Sequence, residues 1–221
     1  TGYITYVGRQ GLSFQYRHNA PLSRRIDPGT TNIIDIYLVT QAYYIAYQNY
    51  VTDSTGTVPE PAQPTIDELT TSYSTLDQYK MISDNIILNS ATFKPLFGTK
   101  AAVELRATLK CVKNPLSTAS VSEIKSQVVS AMNTYFTIDN WDFGDTFFFS
   151  ELSAYLHDQL GSIISTVVLV PVDPLKSFGD LYEIRSQANE IFVNSATVND
   201  VEVIDALTSS QLRTASNSGV V

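Results

Sequence analysis

Cysteine is nearly absent from this sequence: Cys111 is the only one among 221 residues. A single cysteine excludes an internal disulfide framework and any metal site built from several thiolates. Histidine is also scarce, and neither His18 nor His157 has another histidine or a cysteine at metal-ligand spacing. We therefore expect no metal and no other cofactor, since a lone histidine without a positioned nucleophile does not make an acid–base site.

The sequence also lacks the glycine patterns of nucleotide sites and hydrolases. It contains no P-loop, no dinucleotide fingerprint and no Gly-x-Ser-x-Gly elbow. No apolar run reaches the roughly 18 residues of a membrane-spanning helix, and no basic-then-apolar leader opens the chain. We therefore expect a soluble, unsecreted protein. Because the first residue is Thr1, we also expect the chain to be a piece of a longer polypeptide.

Basic residues are few and the charge is segregated. The chain has 14 Lys and Arg against 22 Asp and Glu, and residues 139–205 hold twelve acidic side chains against only Lys176 and Arg185. Such a surface repels phosphate backbones and anionic lipids, so neither nucleic acid nor membrane is expected as a partner. A basic surface on a neighbouring subunit would suit it, although a merely solvating acidic face explains the pattern equally well.

Residues 1–64 form the first of three predicted segments. The first 32 residues show no sustained period and predict an extended arm. The β-branched run Ile33–Val39 predicts a strand, and Thr40 then caps a helix that ends at about Val51. The stretch Thr52–Pro64 contains three prolines and predicts a linker.

The helix predicted after Thr40 is rich in tyrosine: five of the thirteen tyrosines lie between residues 37 and 50. Tyr43, Tyr47 and Tyr50 recur at helical spacing, and Tyr44 widens the same face. Tyrosine offers a large, rigid contact area with a polar tip, which suits a surface that stays soluble before assembly. We predict a protein interface at these four tyrosines; an ordinary core face is the alternative.

Residues 65–100 are predicted to hold short helices and a connector. Pro64 suits the first turn of one helix. The residues on one side of that helix are Ile66, Leu69 and Tyr73. A second short helix is predicted from the apolar residues Leu76, Tyr79 and Ile82.

Residues 101–221 are predicted to form an α+β domain built on a mixed sheet. Apolar and polar residues alternate from Val103 to Cys111, which predicts a strand with one buried face and an inert core cysteine. Ser120 and Glu123 have the spacing of a capping box in front of a helix. The apolar face of this helix is Val121, Ile124, Val128, Met132 and Phe136.

A second strand–helix pair is predicted further along the chain. Thr146–Phe149 reads as a short strand, and Ser150 is expected to cap a helix that Gly161 ends in the left-handed conformation. The buried stripe of that helix is Leu152, Leu156 and Leu160, with His157 at its edge. The run Ile163–Val170 predicts a central strand covered on both faces.

Three further short strands follow this helix and strand. They are Leu181–Ile184, Ile191–Asn194 and Val201–Ile204. The order from Val103 is therefore β-α-β-α-β followed by short strands, which predicts the α+β class.

The densest group of functional-looking side chains lies between residues 139 and 151. Its members are Asp139, Trp141, Asp142, Asp145 and Glu151. Paired carboxylates serve glycoside hydrolysis and a tryptophan can stack on sugars, so a carbohydrate-binding or hydrolytic module is the alternative function. The spacing does not match a calcium loop, and acidic residues also gather at helix N-termini because of the dipole. Without a complete acid–base–nucleophile set, we expect no enzyme.

Several stretches share a texture and order with one family of proteins. They are Arg25–Pro28, Asn32–Thr40, Phe97–Ala101, Asn140–Tyr155, Val167–Val172, Phe178–Arg185 and Asn189–Val201. In these stretches the chain resembles the C-terminal part of T-even-type baseplate wedge proteins of contractile-tailed bacteriophages, in the baseplate-J-like family. The resemblance includes no catalytic signature.

The resemblance implies a structural subunit of the virion's tail baseplate, assembled in the host cytoplasm. Such a subunit associates with itself, as a homodimer or in a ring, and binds other wedge subunits. In that family the C-terminal region links neighbouring wedges into a closed ring. The alternative to a structural subunit is a hydrolytic or carbohydrate-binding tail module that uses the acidic group. A third possibility is an assembly chaperone that is absent from the finished particle.

Overall fold

The fold was examined in a computed structural model, which describes residues 33–74, 85–173 and 183–204. The four helices of these residues are α1 (Gln41–Thr52), α2 (Ile66–Ser74), α3 (Val121–Tyr135) and α4 (Phe149–Leu160). The strands are β1 (Ile33–Leu38), β2 (Asn85–Ser90), β3 (Thr92–Leu96), β4 (Ala107–Lys113), β5 (Thr146–Phe148), β6 (Ile164–Pro171), β7 (Glu183–Arg185), β8 (Glu190–Asn194) and β9 (Val201–Ile204).

The chain is therefore an α+β protein, and the predicted β-α-β-α-β order followed by short strands is confirmed for β4 to β9. β4 lies between β6 and β9, antiparallel to β6 and parallel to β9, so the sheet is mixed as predicted. β3 pairs with β8 in parallel, β5 pairs with β7 antiparallel, and β1 pairs with β2. In the part of the chain that the structure describes, no helix has the length and hydropathy needed to cross a membrane.

Contacts divide the chain into two compact units, with residues 1–34 and 81–87 in one and residues 35–80 and 88–221 in the other. These limits do not coincide with the predicted boundaries after residues 64 and 100. Of the first unit the structure describes only residues 33–34 of β1 and 85–87 of β2. The packing described in the following paragraphs is that of the second unit. The predicted arm, His18 and the helix predicted around Tyr79 lie outside the described residues.

The first two helices begin at hydroxyl caps. The Thr40 hydroxyl accepts a hydrogen bond from the Tyr43 N–H (3.3 Å), as predicted for α1. At α2 the cap is Thr65 and not Pro64, because its hydroxyl accepts from the Glu68 N–H (3.3 Å) while the Glu68 carboxylate accepts from the Thr65 N–H (2.7 Å). Ile66 is 72% exposed, so the predicted stripe on α2 is reduced to its other two residues.

The strand predicted from Val103 begins later than the alternation indicated. Val103–Leu105 forms a 3₁₀ turn, and only from Ala107 onward do the alternate residues enter the core. Arg106 ends the turn, because its guanidinium donates to the carbonyls of Ala101 and Thr99, each at 2.8 Å. Cys111 is buried as predicted, and burial raises the pKa of its thiol to about 12. The thiolate form is therefore unfavourable and the residue acts as a small hydrophobe.

Helices α3 and α4 follow their predicted stripes except at Val121, which is 44% exposed, and not all of their predicted ends are correct. The Ser120 hydroxyl accepts from the Glu123 N–H (3.2 Å) and caps α3. Ser150 does not cap α4: the helix already begins at Phe149, and Phe148 at the cap position makes no side-chain bond. Gly161 is right-handed (φ −58°), so the predicted left-handed ending is wrong. A glycine is suited to this position because the backbone passes close to His157: a Cβ on residue 161 would lie 2.7 Å from the His157 carbonyl oxygen.

The run Ile163–Val170 was predicted as a central strand covered on both faces, and this prediction of its position is wrong. Among the described strands β6 lies at the edge of its sheet and β4 lies at the centre. Burial in β6 alternates, with Ile164, Val167 and Leu169 inside and Val168 45% exposed. A continuous apolar run therefore does not require two covered faces, because valine also suits the open face of a sheet.

Strands β3 and β8 separate two hydrophobic cores. Leu96 and Phe192 enter the main core with the sheet residues and the stripes of α3 and α4, whereas Phe93, Ile191 and Val193 face α1. The close contact between the two strands continues just past their last paired residues, where the Ser195 hydroxyl donates to the Leu96 carbonyl (2.9 Å). Opposite them lies Gly98, and a Cβ there would lie 1.8 Å from the Ser195 carbonyl oxygen.

Candidate functional site

The four tyrosines predicted as an interface, here called the tyrosine cluster, lie on α1 and face the second core. Tyr43 and Tyr47 are only 7% and 5% exposed. Their rings contact Phe93 at centroid separations of 5.2 Å and 4.6 Å. Tyr47 also meets Tyr50 edge-on at 5.6 Å, which is a favoured arrangement for aromatic pairs.

This burial corrects part of the interface prediction. Tyr43 and Tyr47 belong to the core of their own unit, because the aliphatic side chains of β8 and the ring of Phe93 offer them an apolar surface within the chain. Tyr44 and Tyr50 are partly exposed, and the Lys100 ammonium lies 4.2 Å from the ring centroid of Tyr50. For these two residues the interface role stays a prediction.

The electrostatics of the tyrosine cluster agree with its burial. Burial, followed by the Glu60 carboxylate, raises the pKa of Tyr43 and Tyr50, and raises that of Tyr47 furthest. A phenol whose anion is disfavoured in this way stays neutral across physiological pH. Tyr43, Tyr47 and Tyr50 therefore contribute neutral aromatic contact area at this position.

We expect Tyr47→Ala to destabilise the protein by about 3–5 kcal/mol, the usual effect of removing a buried aromatic ring. The ring lost is the one that lies closest to Phe93. Ile45→Ala is the matched control, since Ile45 is on the same helix and 50% exposed. Thermal or denaturant unfolding of both variants measures the difference. A Tyr47→Ala protein that melts like the wild type but associates more weakly would place this ring in an interface instead.

The acidic group between residues 139 and 151 is built around a structural tryptophan. Trp141 donates its indole N–H to the Tyr135 carbonyl (3.0 Å) and stacks on Phe136 at 5.4 Å with an interplanar angle of 9°. Phe192 meets it edge-on at 5.2 Å. The partly buried indole therefore has a structural role, with one ring stacked on it and another packed edge-on.

The carboxylates of this group have separate surroundings. Asp145 closes a turn by accepting the Asp142 N–H (2.7 Å), and its backbone carbonyl accepts both the N–H and the hydroxyl of Ser186 (2.9 Å each). Asp139 is exposed on a 3₁₀ turn, and Glu151 is exposed in the first turn of α4. Burial, followed by the Glu151 charge, raises the pKa of the neighbouring Tyr135 to about 12.

These surroundings bring Asp142 and Asp145 together for a turn, and they do not assemble a metal centre. Among the residues described, no group of three or more His, Cys, Asp or Glu side chains could hold a metal ion. His157 is exposed on α4 and not at the edge of the buried stripe, because it follows Leu156 on the outer side of the helix.

The sequence did not predict which residues pack against the tyrosine cluster. Phe93, Ile191 and Val193 stand far from α1 along the chain, and only the parallel pairing of β3 with β8 sets them side by side. The continuous apolar run Ile191–Val193 was the available signal, since a strand covered on both faces reads as a run of apolar residues and not as an alternation. A comparison with protein-family models gives no match, and a comparison with curated proteins gives none either.

Proposed function

We propose that this chain is a structural subunit of a contractile-phage tail baseplate wedge, which associates with itself and binds other wedge subunits. In this proposal it is not an enzyme, needs no cofactor, binds neither nucleic acid nor membrane, and resides in the virion after assembly in the host cytoplasm. The proposal rests on the resemblance to baseplate wedge proteins, which is carried by seven stretches between residues 25 and 201.

One structural observation supports the proposal: two of the resembling stretches meet at a close backbone contact that leaves no room for a larger side chain. Gly98, in the stretch Phe97–Ala101, donates its N–H to the hydroxyl of Ser195, in the stretch Asn189–Val201, at 3.1 Å. Phe97 itself has a positive φ of 76°, unusual for a bulky residue, and is 1% exposed. We expect residues at such a contact to be kept for the fold, so the likeness of these two stretches is used here as an analogy of fold from which the functional proposal starts.

The acidic group supports a structural role over the hydrolytic alternative. Its tryptophan stacks on Phe136 and the Asp145 carboxylate holds a turn, so these two members of the group have roles in the fold. Inverting and retaining glycosidases need two carboxyl groups at a set separation across the scissile bond. Here Asp139 and Glu151 are solvent-exposed side chains on separate elements.

The test is detection of this chain in purified, contractile-tailed particles by mass spectrometry and by antibody labelling at the baseplate. We expect it in finished particles and at the end of the tail. Absence from finished particles but presence in assembly intermediates would indicate a chaperone.

A glycan-hydrolysis assay tests the hydrolytic alternative. We expect wild type and the Asp142→Asn, Glu151→Gln double variant to remain at background. Turnover by wild type that the double variant loses would favour the hydrolytic alternative.

A further inference from the structure

The long edge of β6 has the features of a strand-pairing surface. β6 pairs with β4 on one side, and no strand within the described ranges 33–74, 85–173 and 183–204 pairs with its other side. It is eight residues long and contains no charged side chain. Natural edge strands are usually short or charged, because an uncharged edge is a template for pairing with another chain. Its Val168 is 45% exposed.

The register shows which backbone groups face away from β4. The Val172 N–H donates to the Arg106 carbonyl (3.0 Å), and the antiparallel pairing continues from there through every second residue. The N–H and C=O groups of Val167 and Leu169 lie between these bonds and therefore point outward. Pro171 is the next outward position, and a residue without an N–H is tolerated in a sheet on such an open edge.

We propose that this edge of β6 is the self-association surface, on which β6 of a second copy of the chain pairs antiparallel. The register that uses both outward-facing residues sets Val167 of one copy opposite Leu169 of the other, twice, around a two-fold axis. Four backbone hydrogen bonds form, and Val168 lies directly opposite the second copy's Val168. Because a non-hydrogen-bonded pair brings side chains close, both exposed valines are covered.

The backbone of this uncharged edge is complementary to a second copy of itself. With a net charge of −8, two copies repel over most of their surface, and an uncharged strand is where they can approach. The strand supplies two donors and their matching acceptors in the same order, so it is complementary to itself and gives a closed two-fold contact. This inference rests on the proposed function, since it names the surface through which the subunit associates with itself.

The test substitutes Val168, where the geometry predicts the strongest effect. Val168→Glu places two carboxylates directly opposite each other across the axis and should raise the dimer dissociation constant at least about tenfold. Within the chain the new carboxylate lies opposite Lys110 on β4, whose ammonium also pairs with the Glu202 carboxylate (2.9 Å). Val198→Glu is the matched control, because Val198 is 44% exposed on a different surface element, the turn Val198–Asp200.

Sedimentation equilibrium of the whole 221-residue chain over a wide concentration range gives the dissociation constants. We expect wild type and Val198→Glu to dimerise alike, Val168→Glu to be shifted towards monomer, and an equimolar mixture of Val168→Glu with Val168→Lys to regain the dimer. A monomeric wild type, or a Val168→Glu protein that associates like wild type, would overturn the inference. Detection in particles is a separate measurement, so failure of the β6 surface and failure of the virion role can be told apart.

Discussion

Leu109→Asp is expected to abolish soluble folding. Leu109 is 0% exposed at the centre of β4, which has a partner strand on each side. Removing a buried leucine costs about 2–5 kcal/mol, and burying an unpaired carboxylate or protonating it adds several more. The sum is comparable to the roughly 5–15 kcal/mol that separates a folded domain from its unfolded state.

The control for this substitution is Thr108→Asp, which introduces the same side chain one residue earlier in the same strand. Thr108 is on the other face of the sheet and only partly buried, so its variant should lose no more than about 1 kcal/mol, the range of strand propensity in a host protein. Soluble yield and circular dichroism melts compare the two. A cooperative Leu109→Asp melt near that of wild type would show that this face of β4 is not buried.

Gly98→Ala is expected to produce the second largest loss, through backbone collision and not through conformational strain. The new Cβ would lie 1.8 Å from the Ser195 carbonyl oxygen and 2.5 Å from its carbonyl carbon. Backbone atoms cannot rotate aside as a side chain does, so β3 and β8 must separate at their ends. Overpacking usually costs about 1–3 kcal/mol, and we expect a loss at or above the upper end here.

Gly56→Ala separates collision from conformational strain. Gly56 has a φ of +72° but no atom within 4 Å of the Cβ position, so its variant should lose only about 1–2 kcal/mol, the cost of the left-handed conformation for an L-residue. Denaturant unfolding of both variants measures the contrast. Equal losses would mean that the approach of Gly98 to Ser195 is not constrained by the two strands.

Local features of the fold were readable from the sequence because their causes are local. Ser120 and the apolar spacing of α3 predicted that helix closely, since a cap and a 3.6-residue period act within one turn. Thr40 marked the start of α1 for the same reason. The same spacing could not distinguish a core tyrosine from an interface tyrosine, because both present the same period along a helix.

The features missed were those set by backbone contacts that hydrophobic spacing does not encode. The alternation after Val103 was interrupted because Phe97 donates its N–H to the Leu105 carbonyl (2.9 Å) and Arg106 binds two carbonyls before it. Gly161 was expected in the left-handed region from its place after a helix, yet its role is set by the His157 carbonyl and by the Asn114 amide, which donates to the Gly161 carbonyl (3.2 Å).

The sequence by itself determined the α+β class, the order of the elements after residue 103 and the burial of Cys111, because hydrophobic period and capping chemistry act over a few residues. Only the tertiary structure decided that β4 is central and β6 lies at the edge among the described strands, and that Tyr43 and Tyr47 pack against Phe93. Strand order and core partners depend on pairing between distant segments, whose hydrogen bonds leave no periodic mark in either strand alone.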